Sequence, residues 1–356
     1  MKYPSRIISL IAVILLLTAS LTGCSTSQPT DSNSGSSAEA GDVIAPDWSG
    51  ATMTLGTLNP ESNPDSQAAQ WFADTLAEKT EGRLQINVFP HSQLGNQSVQ
   101  IEALTMGTQD FFVGGMEPFA SIAPELNALN IFYLFESDEH LQAFFSSDYY
   151  QTAEEELAAE NIVDINQAHN WVKGPYRILM TTKEIDGSLE SIKGMTIRIP
   201  EQEVFQKSWS ALGATPIALA LNETYLALDQ GLVEGLDLIP ASIASNGFQE
   251  VVKYIMRTDA FPQREGVMMA KSSMDKLPAE IQELIYETAD EAGEYYTQLV
   301  LEASEEIMGQ CEDLGITVID DADLTDWYAA CADLGYELEE TGYIPKGLTD
   351  AIKGMK

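Results

Sequence analysis

The chain has 356 residues, with 55 acidic against 18 basic side chains and a formal net charge of −37. That balance repels phosphates and excludes nucleic acid as a partner, and it suits solubility outside the cell. Any site for an anion must therefore be made by a few well-placed arginines.

The N-terminus reads as an export signal. Lys2 and Arg6 precede an apolar core, Ile7 to Leu17, that is too short for a comfortable membrane span. Leu21-Thr-Gly-Cys24 follows and resembles a bacterial lipobox, which implies cleavage before Cys24 and a lipid on its thiol. The competing reading is an ordinary secretory signal with an incidental cysteine. Loss of residues 1–23 removes Lys2 and Arg6 and no acid, so the charge moves from −37 to −39. Residues 24–48 are rich in Ser, Thr, Asn, Gly and Asp without apolar periodicity, a flexible tether. The remaining residues, about 310, suffice for two domains. No later segment is long and apolar enough to cross a bilayer.

Ala51 to Leu58 alternates and breaks at Asn59-Pro60, a first strand. Asp65 begins a helix with Ala68, Phe72 and Leu76 on one face, closed by Glu81-Gly82. Leu84 to Phe89 is a second strand, Gln97 to Met106 a helix, and Asp110 to Val113 a third strand ending in Gly114-Gly-Met-Glu117. This β-α-β-α-β order predicts a parallel sheet with right-handed crossovers. Two helices are expected across residues 138–159 and a strand over 161–166, ending near Asn170 and Trp171. Arg177 opens the next strand.

Met195, Ile197 and Ile199 alternate with Thr196 and Arg198 until Pro200 stops the strand, so Arg198 lies opposite the three apolar residues at the strand's C-terminal end. In α/β sheets that end holds ligands. Arg198 is either a structural partner for one of the many acids or a planar fork for a ligand carboxylate. Residues 201–212 are helical and 215–219 extended. A helix follows Asn222, then a strand from Val233 to Pro240.

Pro278 begins apolar residues recurring every three or four positions as far as Leu314. One helix of about 35 residues would be about 50 Å long, enough to run across two lobes. Two helices broken near Gly293 would satisfy the same pattern. Residues 316–319 look extended and 323–340 form one more helix. Crossings near Trp171 and Phe261 make each lobe discontinuous. Lobe I takes residues 49–170 plus about 261–300, and lobe II takes 171–260 plus about 301–356. The architecture predicted is an α/β clamshell of the periplasmic-binding-protein kind, hinged and closing over its ligand.

The three histidines, His91, His140 and His169, stand apart without carboxylate or cysteine at ligand spacing, which gives no metal site and no cofactor. No nucleophile elbow, phosphate loop or dinucleotide fingerprint is present, so an enzyme has no nucleophile or base to name. A disulfide between Cys311 and Cys331 is permitted in an exported chain but not demanded. The polar residues collected at strand ends and helix starts are Gln97, Glu117, Asn170 with Trp171, Arg177, Arg198 and Asp237. Each alone is more often a cap or a surface residue than a ligand contact, and Trp171 reads equally as hinge packing. Together they outline a wet cleft with two cationic forks.

At several places the chain resembles the solute-binding subunit of TRAP (tripartite ATP-independent periplasmic) transporters. The matching stretches are Glu78-Lys-Thr-Glu-Gly-Arg83, Phe89-Pro-His-Ser-Gln-Leu-Gly95, Ile101-Glu-Ala-Leu-Thr-Met-Gly107 with Asp110, and Phe132-Tyr-Leu-Phe135. They continue in Lys193-Gly-Met-Thr-Ile-Arg-Ile-Pro200, Leu212-Gly-Ala214 and the run from Glu223 to Gly235. The resemblance implies a two-domain clamshell crossed by a long helix, with small and large integral membrane subunits as partners. It implies that Arg198 pairs with the ligand's carboxylate and Arg177 supports it. Departures stand at Leu238, where an amide is frequent, at Glu234 in place of Asp, and at Leu221, near a position that is often aromatic. Glu117 and Asp237 should repel a second carboxylate and favour hydroxyls, so the expected ligand is a hydroxylated monocarboxylate such as a sugar acid. A C4-dicarboxylate or aromatic acid comes next. The competing function is the binding lipoprotein of an ATP-driven importer.

Overall fold

A computed structural model describes residues 48–171 and 176–355. The signal segment, Cys24 and the tether lie outside them, except for Trp48.

The first half builds β1 (Ala51–Thr57), α1 (Pro64–Lys79), β2 (Leu84–Phe89), α2 (Gln97–Thr105) and β3 (Phe111–Gly115). It continues with α3 (Asp138–Phe145), α4 (Asp148–Ala159) and β4 (Ile162–Asp164). Helix α1 starts where its sequence says it should: Pro64 needs no N–H donor in the first turn, and the Asn63 side chain accepts from the Asp65 N–H. The second half builds β5 (Ile178–Thr181), β6 (Thr196–Ile199), α5 (Glu203–Ala211), β7 (Thr215–Ala218), α6 (Thr224–Asp229), β8 (Gly235–Leu238), α7 (Ser242–Ser245) and β9 (Tyr254–Met256). The chain then returns through β10 (Glu265–Ala270) and α8 (Lys271–Met274) to α9 (Ala279–Gln310), and closes with β11 (Thr317–Ile319), α10 (Thr325–Cys331), α11 (Leu334–Thr341) and α12 (Leu348–Gly354).

Two sheets result, ordered β2-β1-β3-β10-β4 and β11-β9-β5-β8-β6-β7. Strands β1, β2 and β3 are parallel, as expected. Neither sheet is wholly parallel. β10 runs against β3 and β4, and β5 runs against β8 and β9. Each is the first strand after the chain changes lobes, and each runs inside its sheet, starting at the end where its antiparallel neighbours finish. The two crossing segments touch: Tyr176 bridges Pro262, and the Arg177 N–H donates to the Phe261 carbonyl. That paired ribbon is one of the connections between the lobes.

Helix α9 is continuous for 32 residues, about 48 Å at 1.5 Å per residue. Ile281, Ile285, Ala289, Ala292, Tyr296 and Val300 lie in the core under the first sheet, with Phe72, Leu76 and Val113. Ile307 reaches the core of the second sheet, with Ile255 and Leu236. Gly293 does not break the helix. A side chain there would collide with Asn170 and the Trp171 ring, so the glycine lets that loop lie directly on the helix.

One expectation is corrected at the C-terminus. Residues 323–340 form two helices, because a break at Ala332-Asp333 turns both Trp327–Cys331 and Leu334–Leu338 into one apolar core with Phe132, Phe205 and Trp209. Cys311 and Cys331 are free thiols buried in different clusters.

Candidate functional site

The strands of both sheets end around one cavity. Leu58 and Asn59 follow β1, Gly114, Gly115 and Glu117 end and follow β3, Arg198 and Pro200 end β6, and Leu238 and Ile239 end β8. Asn63 and Gln97 enter from the starts of α1 and α2, and Ser242 from α7. The two antiparallel strands present their first turns instead: Arg177 beside β5, Gln263 and Glu265 at β10. Strand ends and helix starts are where unpaired backbone dipoles collect, so a polar ligand is best held there.

The arginines differ. Arg177 is buried and committed. Its Nη1 donates to Glu117 Oε1 at 3.3 Å and to Gln263 Oε1 at 3.1 Å, and its Nη2 donates to the Asp237 carbonyl at 2.6 Å. Its Nε lies 3.0 Å from Asp237 Oδ2, but no hydrogen bond forms there, so this contact is an ion pair only. The rings of Phe205 and Phe261 lie 5.2 and 5.0 Å from its guanidinium carbon.

Arg198 is 5% exposed, and its Nε donates to the Leu219 carbonyl at 2.9 Å. Among the described residues its two terminal nitrogens have no hydrogen bond and no carboxylate within ion-pair distance. Burial, and next the Arg177 cation, pull its pKa down to about 10 against the weaker opposing pull of Asp237, Glu117 and Glu201. A buried cation without a counter-ion is costly, and a ligand anion would remove that cost.

The opposite wall is acidic. Burial raises the pKa of Glu117 despite Arg177 beside it, and raises that of Glu265 well above the usual range. Asp65, buried behind Asn59 and holding its Nδ2 at 2.7 Å, is pushed up to about 6 by the same cause. The lobes meet across the cleft mouth: Asn63 Nδ2 donates to Ser245 Oγ at 2.8 Å, and Ser98 Oγ to Glu201 Oε2 at 3.4 Å.

Of the residues singled out in the sequence, Gln97, Glu117, Arg177 and Arg198 line the cavity. Asp237 stands behind it, against Arg177. Asn170 and Trp171 do not reach the cavity. Asn170 Nδ2 donates to the Asp290 carbonyl at 2.8 Å and Trp171 Nε1 to the Ala289 carbonyl at 2.9 Å. The indole stacks on Tyr296 with centroids 5.1 Å apart. Both residues fasten the inter-lobe segment to α9, so the cleft reading of this pair is replaced by the packing one. Asn59, Asn63, Ser242, Gln263 and Glu265 were missed. Asn59 carried a signal, since it follows the first strand; Gln263 precedes and Glu265 begins a strand that only the chain's return from the other lobe places here. Leu221 and Leu238, the departures noted above, both line the cavity. Glu234 does not; its Oε2 accepts from the Thr196 N–H and hydroxyl. Among the described residues no cluster of His, Cys, Asp and Glu could hold a metal ion.

A two-lobed α/β receptor with an uncompensated arginine in its interlobe cavity defines a class: proteins that bind small anionic solutes. The family model for bacterial extracellular solute-binding proteins, family 7, matches residues 55–340. A solute-binding protein of Roseobacter denitrificans is 29% identical over 269 residues, 76% of this chain and 81% of that one. The same protein, solved as a TRAP periplasmic solute-binding protein with bound L-galactonate, is 28% identical over the superposed structures with a TM-score of 0.76, covering 85% of this chain and 97% of that one. Another from that species, solved with bound β-D-glucuronate, has a TM-score of 0.79 at 21% identity and covers 86% and 100%, a likeness of fold. The chain belongs to family 7 of the bacterial extracellular solute-binding proteins, and it is the extracytoplasmic solute-binding component of a TRAP transporter rather than of an ATP-driven importer.

Proposed function

We propose that the protein captures a hydroxylated monocarboxylate, a sugar acid, and delivers it to the small and large membrane subunits of its transporter. One observation carries the reading: Arg198 is buried in the cavity with two terminal nitrogens unpartnered among the described residues, while the facing wall holds Glu117 and Glu265. A carboxylate accepts two parallel charge-assisted bonds from such a fork, each about 1.5–3 kcal/mol. A second carboxylate would meet Glu117, whereas hydroxyls find Asn59, Asn63, Gln97 and Ser242. The sugar acids bound to relatives fit that division. Arg177 holds the wall together, with Asp237 behind it.

Isothermal calorimetry with D-glucuronate, D-galacturonate and L-galactonate against succinate and malate tests this. The hydroxylated monoacids should bind more tightly; tighter binding of either dicarboxylate than of every monoacid rejects the ranking.

We further infer lobe I over 49–170 and about 261–300 and lobe II over 171–260 and about 301–356, on the strength of which strands share a sheet. Cys24 is taken to carry a lipid anchor, on the residues preceding it. Cys24→Ser should move the protein from the membrane fraction to the soluble one; an unchanged distribution removes the anchor.

A further inference from the structure

Glu265 opens β10 at the cavity wall and is 7% exposed. Its Oε1 accepts from Gln263 Nε2 at 3.0 Å. The amide orientation is settled, because Gln263 Oε1 already accepts from Arg177 Nη1. Glu265 Oε2 is buried and has no hydrogen-bond partner among the described residues. The charged groups acting on it come from four sides: Asp65 at the start of α1, Glu117 after β3, Arg177 beside β5 and Arg264 next to it in sequence. The phenol of Tyr296, on α9, also feels its charge. Neither arginine is free to neutralise it. Arg177 serves Glu117 and Asp237, and Arg264 serves Asp164 at 3.0 Å and gives Glu265 only a bond to its carbonyl. An ionised Oε2 would be a buried charge beside two other carboxyls. A protonated Oε2 is a buried donor without an acceptor among the described residues, on a side chain that lines the cavity.

We propose that Glu265 is a specificity-determining residue of this site: its Oε2 carries a proton and donates a hydrogen bond to a hydroxyl or ring oxygen of the ligand, away from the carboxylate held by Arg198. The inference rests on the sugar-acid reading. It makes ligand binding proton-linked, since only the neutral acid donates. The sign follows: ligand contact favours the protonated form, so affinity is full below the pKa of Glu265 in the free protein and falls as pH rises through it. A carboxamide at this position donates at every pH; a thioether never does.

Calorimetry with D-glucuronate from mildly acidic to alkaline pH, on the wild type, Glu265→Gln and Glu265→Met, reads this out. Wild-type affinity should fall by about tenfold per pH unit once Glu265 ionises. Glu265→Gln should bind within a few-fold of wild type at neutral pH and lack that alkaline fall; Glu265→Met should be weaker at every pH. An infrared difference spectrum, wild type minus Glu265→Gln, should show a neutral carboxylic-acid carbonyl band that shifts when ligand is added. An unaltered alkaline fall in Glu265→Gln, wild-type affinity in Glu265→Met, or no such band overturns the inference alone. A wild type that binds no sugar acid overturns the functional reading, and this inference with it.

Discussion

Arg264 and Arg198 are both buried, yet their surroundings are opposite. Arg264 has its counter-ion supplied: Asp164 Oδ2 lies 3.0 Å from its Nη2, the Tyr150 hydroxyl donates to that same carboxylate at 2.9 Å, and the Phe145 ring lies 4.9 Å from its guanidinium carbon. Burial opposes its charge, but Tyr150 and Asp164 outweigh burial and its pKa rises. Among the described residues Arg198 has a single carbonyl for a hydrogen-bond partner, and its pKa falls to about 10. A guanidinium is desolvated in both places; only at Arg264 does the fold supply the anion. The difference separates an arginine used to hold the structure from one kept for a ligand.

The contrast can be broken most sharply at Arg198. Arg198→Met should weaken sugar-acid binding by about 3–6 kcal/mol, more than a hundredfold, as two charge-assisted bonds are lost. The ligand-free protein should melt no lower than wild type, since a cation with no counter-ion has been removed. Retained affinity, read by calorimetry, would take Arg198 out of the site.

Arg264→Met should do the reverse. It strands Asp164 in the interior and should cost about 3–5 kcal/mol of folding stability, seen as a lower urea midpoint. A stable variant would mean that the Tyr150 hydroxyl and the Asn166 N–H suffice for Asp164.

The acidic wall allows a test by pH. The carboxyl of Asp65 has its pKa raised to about 6, from 3.8, so the native state keeps a proton that the unfolded chain releases. Stability should therefore be fully present below the unfolded value and decline as pH rises towards 6, by about 3 kcal/mol from this group. Asp65→Asn should flatten that part of the curve; denaturant midpoints across the range decide it. Glu117 and Glu265 shift the same way, so some decline remains.

The smallest effect concerns closure, which keeps Arg198 dry. Ser245→Ala removes the acceptor for Asn63 across the cleft mouth and should weaken ligand binding by about 1 kcal/mol, roughly fivefold, without altering either lobe. Unchanged affinity would show that closure does not depend on this contact.

Much of this was legible before any coordinates. Strand alternation from Met195 to Pro200 placed Arg198 at a strand's C-terminal end, and the helical period from Ile281 to Leu314 marked α9. Gln97 and Glu117 were flagged by the same rule of strand ends and helix starts. Asn170 and Trp171 satisfied that rule too and misled, because Gly293 on a distant helix made room for them elsewhere. Gln263 and Glu265 carried no local signal: they stand at a strand's start, and starts become ligand-facing only when the strand enters its sheet reversed.

What the sequence by itself determined was therefore the inventory: an α/β receptor, an arginine at a strand end, an acidic surround and the family to which the chain belongs. Only the tertiary structure decided which buried groups were already spent. Arg177 meets partners 60 and 86 residues away, and Arg264 one 100 residues away. The physical reason is that desolvation and pairing act through space. Periodicity reports which side of a strand a residue occupies, but not what the other lobe brings to meet it.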